Sequence, residues 1–178
     1  SVAETLRKVL KESEENVKRT VDRAEEELKK SEEHLRRLVE RLKEVLEDVR
    51  RRVEEEVKGR ELLREMDEVL KRIEEEIRKI LRRLEEADKR SREALDKLEK
   101  DAKRVHDEVR DRLEKRTDDD ERVERIIREL REVNERLDRE VERLIRENRE
   151  INRRLAEEIK DLIRRLREIL REVVERAK

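Results

Sequence analysis

The chain contains no cysteine, no proline and no aromatic residue, and it has a single glycine among 178 residues. Without cysteine there can be no disulfide and no thiolate metal site, and the sequence does not report a redox compartment. Without proline and with one glycine, almost nothing interrupts a helix. Without aromatics, the stacking platforms that hold single-stranded nucleic acid are missing. Excess charge of one sign is lacking too, because 53 basic residues meet 54 acidic ones for a net charge of −1. That balance gives no case for a nucleic-acid partner. No apolar run approaches the ~20 residues of a membrane span, and Ser1-Val2-Ala3 does not open a signal peptide, so a soluble protein is expected.

What the chain does have is charge and period. Charged residues make up 60% and hydrophobic residues 32%. The hydrophobic residues fall on stripes close to the 3.6-residue step of an amphipathic helix. The first stripe runs from Val2 through Leu6, Leu10, Val17, Val21, Leu28, Leu35, Leu42 and Val49 to Val57. It stops at Gly59 and restarts out of phase at Leu62/Leu63, which argues for a turn at the only glycine. The second continues through Met66, Leu70, Ile73, Ile77, Leu84, Leu95, Ala102 and Val109 to Leu113. The third takes in Val123, Leu130, Leu137, Val141, Ile151, Leu155, Ile159, Leu166, Val173 and Ala177. Ser1 with Glu4, and Asp118 with Glu121, have the spacing of capping boxes at two helix starts.

The expected fold is all-α: three long, nearly straight antiparallel helices in an up-down-up, coiled-coil-like bundle. The expected boundaries are about 2–58, 60–116 and 119–177, in one domain over residues 1–178. Alanines at positions 3, 24, 94 and 102 leave less apolar area at the end carrying Ser1 and Asp119. Faster fraying is expected there than near Gly59.

Several polar residues interrupt the stripes. Folding at two short turns sets position i of the first helix level with about 118 − i of the second and about 119 + i of the third. On that register Ser13, Asn16 and Thr20 stand level with His106 and Asn134. Ser31 and His34 stand level with Ser91, Asn148 and Asn152. The expectation is two buried polar layers, whose members must satisfy one another because an unpaired buried polar group costs about 1–3 kcal/mol.

Serine, histidine and asparagine together also suggest hydrolysis, but no glycine-rich turn or nucleophile elbow accompanies them. A shared metal is not supported either, because His34 and His106 fall at different heights and neither belongs to an E-x-x-H motif. The sequence therefore points to no catalytic, cofactor-binding or metal-binding residue, no cofactor, no small-molecule ligand and no enzyme. A buried neutral histidine resists protonation, so weakening of the fold in acid is an expected consequence.

The Ser1–Glu4 cap, the single-glycine turn, the Thr117–Glu121 turn, the Glu/Lys/Arg surface and the Ser/Thr/Asn/His core positions together resemble a de novo designed helical bundle with buried hydrogen-bond networks. Spectrin-like natural repeats usually carry core aromatics, which this chain lacks. The resemblance implies a structural scaffold without native activity. The alternative is a protein-interaction module or homo-oligomer, with its histidines as a pH-responsive element. A monomer is favoured over a homo-oligomer or a complex with a designed helical partner.

Overall fold

The computed structural model describes residues 2–115 and 120–177, with side chains described over 2–115 and 121–176. It is all-helical among the described residues: α1 is Val2–Glu56, α2 is Arg60–Glu114 and α3 is Asp120–Ala177. The unbroken stripes and the lack of helix breakers account for elements of 55, 55 and 58 residues. The first two helices each end two residues before the expected boundary, and the expected start of the third, at 119, lies outside the described residues. The Asp118 cap and the start of the Ser1 cap lie outside the described residues.

The chain reverses at Gly59, whose φ of 125° is open to glycine and strained for any other residue. The Val57 amide donates to the Val53 carbonyl at 3.0 Å, closing α1. The Leu63 amide donates to the Gly59 carbonyl at 3.1 Å, opening α2. Gly59 therefore both breaks one helix and supplies the first acceptor of the next. Glu56 sits at the unfavourable negative end of α1. Its Oε1 accepts from Arg52 at 2.7 Å, while Oε2 is buried without a partner.

The chain divides into two compact units. The first comprises residues 1–29 and 89–148, and the second comprises 30–88 and 149–178. Each takes a segment from all three helices. In the second unit, Arg83–Glu158 and Arg165–Glu76 tie α2 to α3, and Arg50–Glu74 ties α1 to α2. These pairs run in opposite directions along the chain, so consecutive segments are antiparallel. In the first unit, Arg112–Glu129 and Ser91–Asn148 set α3 antiparallel to α2, and Arg110–Glu14 ties α1 to α2. The α1–α3 offset is 121 residues for Ser13–Asn134 in the first unit and for Ser31–Asn152 in the second.

The two units are packed differently. The second holds one continuous core of 18 buried residues, rich in Leu and Ile, with Leu42, Val49, Val53, Ile73, Ile159 and Leu166 fully enclosed. The first holds two smaller clusters. One, of eight residues, includes Ala24 and Ala102; the other, of six, runs from Leu6 to Leu130. Two expected stripe residues are exposed, Val2 at 41% and Ile151 at 43%. Ile151 precedes Asn152, which takes the inward position on that turn.

Candidate interaction surface and polar clusters

The gap between the two small cores of the first unit is filled by polar side chains. Ser13 stands between Leu10 and Val17 on α1, His106 between Ala102 and Val109 on α2, and Asn134 between Leu130 and Leu137 on α3. Ser13 Oγ lies 2.8 Å from His106 Nε2 and donates to Asn134 Oδ1 at 3.1 Å. A hydroxyl has one proton. With that proton on Asn134, the histidine must donate through Nε2–H, which assigns the tautomer. Ser13 and His106 are fully buried, and Asn134 is half-buried.

Burial pushes the His106 imidazole below the ordinary histidine range, and Arg110 adds to this; Glu14 and Asp107 pull the other way. The lost hydration of the charged ring outweighs its two acidic neighbours. Two turns along α1 from Ser13, buried Thr20 donates to half-buried Asp138 at 3.1 Å. Asp138 is not legible as a partner in the sequence, because acids flank the apolar stripes throughout the chain.

The remaining expected layer residues separate by unit. In the first, buried Asn148 donates to buried Ser91 at 3.1 Å. In the second, buried Asn152 donates to half-buried Ser31. Two expected members do not join. His34 is exposed, and Asn16 is half-buried and bonds to neither Ser13 nor Thr20. The reason is the same for both. Each immediately precedes a residue at the centre of the buried face of α1, Leu35 and Val17, and so stands about 100° from that centre, whereas Thr20 and Val21 straddle it and are both buried.

The surface of the first unit is grooved, and its small residues are the cause. Between α2 and α3 lies a groove of about 680 Å³. Its floor is Ala94, Leu98, Ala102, Val105, Val133, Leu137 and Leu144. Leu98, Val105, Val133 and Leu144 are only half-buried. An alanine where a leucine would otherwise stand leaves the neighbouring side chains uncovered. A second groove of about 540 Å³, between α1 and α2, is lined by His106, Val17 and Val21 with a charged rim.

No group of histidine, cysteine and acidic residues suited to a metal ion occurs among the described residues. No described helix is long and apolar enough to cross a membrane. The chemistry available at these sites is burial of apolar surface and pairing of charge.

No curated protein and no solved structure matches the chain. A family model does: that of the C-terminal region of Exo70, a component of the exocyst complex, over residues 1–178. This overturns the expected identity as a de novo designed bundle with hydrogen-bond networks, and with it the reading as an inert designed scaffold. The features behind that resemblance are composition, capping and turn chemistry. Those are set by the physics of long helices and are shared by any chain that must build them. The chain belongs to the Exo70 C-terminal family of the exocyst complex.

Proposed function

We propose that the chain is a non-catalytic protein-interaction module working within an exocyst-type, vesicle-tethering assembly. The observation that carries this reading is the apolar-floored groove between α2 and α3 of the first unit. A helix face with half-buried Leu and Val exposed along a trough is the form in which helical proteins accept another helix. Family membership supplies the context, since the components of a large assembly act by contact. The partners are then other proteins of the exocyst, which a monomer-first reading does not capture.

The test is co-purification of the full chain with the other components of an exocyst complex. Leu98→Glu with Val133→Glu places charge on the groove floor at two half-buried positions. Retention of the parent chain, and its loss in this variant at unchanged helical content, is the expected result. Equal retention of parent and variant would overturn the groove as the docking surface.

A further inference from the structure

The rim of the same groove carries an ordered arrangement of charge. On α2 the rim residues are Lys97, Asp101 and Arg104; on α3 they are Arg136, Glu140, Arg143 and Glu147. The cross-links on either side fix which of them stand at one level. From the Arg112–Glu129 pair, eight residues back on α2 and seven on along α3 lead to Arg104 and Arg136. From the Asn148–Ser91 bond, six residues on along α2 and five back on α3 lead to Lys97 and Arg143. Asp101 and Glu140 fall between. The rims therefore face each other as basic against basic, acid against acid, and basic against basic, in bands about 5 Å apart.

Antiparallel neighbours usually set opposite charges across such a seam, because like charges at one level repel. Here the bands cannot neutralise each other across the groove. Lys97, Asp101, Arg104, Arg136 and Glu140 take part in no ion pair among the described residues, and Arg143 pairs along its own helix with Glu147 at 3.1 Å. Opposite charges neighbour one another only along each helix, so across the groove each band meets its own sign, and a third helix of opposite order would pair with both rims at once.

We infer that the groove, taken as a docking surface for another protein, is specific for an amphipathic partner helix. Its apolar strip is flanked on both sides by acidic, then basic, then acidic residues on successive turns. The floor demands small or medium apolar side chains, and the rim selects by charge order. A second copy of this chain fits less well. A two-fold pairing centred on the Asp101/Glu140 band sets like charges together, and it opposes two concave floors with nothing to fill them. This inference rests on the docking reading above, but its test is separate.

The probes are two synthetic helical peptides of about 21 residues, equal to ~32 Å when helical. They share one Leu/Ala strip. One carries Glu, Lys, Glu on both flanks of successive turns, and the other carries Lys, Glu, Lys. Binding to the full chain is measured by fluorescence anisotropy at low salt. The first peptide is expected to bind about tenfold more tightly or better, with the difference shrinking at high salt. In Asp101→Lys with Glu140→Lys, both exposed positions, the preference should move to a third peptide of the same strip that carries Glu on all three turns. Equal binding of the two peptides, or an unchanged preference in the variant, would overturn the charge order even if the groove-floor variant loses its exocyst partners. A dimer of the chain alone that dissociates in the double lysine variant would overturn it in favour of self-association.

Discussion

Removing one hydroxyl tests how the first unit is held together. Ser13→Ala deletes the group that meets both His106 Nε2 at 2.8 Å and Asn134 Oδ1 at 3.1 Å. The two partners lose unequally. Asn134 is half-buried and can turn to water; His106 is 3% exposed and cannot. Leaving one buried donor unsatisfied costs about 1–3 kcal/mol, and the smaller alanine adds little cavity. The expected loss is therefore about 2 kcal/mol, nearly all of it at the imidazole. Replacing the imidazole as well, in Ser13→Ala with His106→Leu, removes the orphaned donor, so the double variant should recover most of that loss. Native-state hydrogen exchange at amides of residues 6–17 and 102–109 assigns the effect to the unit that carries it. A Ser13→Ala loss below about 0.5 kcal/mol, or strictly additive effects in the double variant, would mean that the hydroxyl does not satisfy the buried imidazole.

Acid should weaken the first unit through His106. Its folded pKa lies below the ordinary histidine value of 6.5, so the unfolded chain takes up the proton first. Stability is then full above that value and falls as the pH drops through the lower folded pKa, by at most about 1.4 kcal/mol per pH unit for one proton. Urea midpoints at pH 7.5 and 5 should show a larger loss for the parent than for His106→Leu. Gly59→Ala should cost about 1–3 kcal/mol by calorimetry, purely from backbone strain at φ 125°, because nothing lies within 4 Å of an added Cβ. Ile73→Ala, fully enclosed in the larger core, should cost about 2–5 kcal/mol in urea denaturation. Leu98→Ala on the groove floor is half-buried and should cost under about 2 kcal/mol in the same measurement. Amides on the buried faces of the first unit should exchange faster than those of the second, as expected from eight- and six-residue cores beside one of 18.

The family match bears on how such charged helical sequences are read. Glu, Lys and Arg on nearly every outward position, one glycine at a turn and no aromatic core suggest invention. The same traits follow from the need to keep long helices stable in water. Their presence describes a structural class and says nothing of origin.

Residue order alone set the helices, the turn at Gly59 and the antiparallel sense of neighbouring segments. Apolar period and helix breakers are local properties, and a short connection leaves the next segment one way to run. It also ranked the packing, since alanine and leucine differ in volume wherever they stand. The register arithmetic set Ser13 level with His106 and Asn134, and Ser13 bonds to both in the structure. Which polar residues near the stripe turn inward was settled by packing between the helices. Asn16 and His34 each stand about 100° of rotation from the buried residue that follows, an angle that pattern reading does not resolve when both flanks are polar. Packing also sets Arg104 level with Arg136, and Asp101 level with Glu140, across one groove. The sign of a charge is written in the chain, but what it faces depends on which helices share a groove.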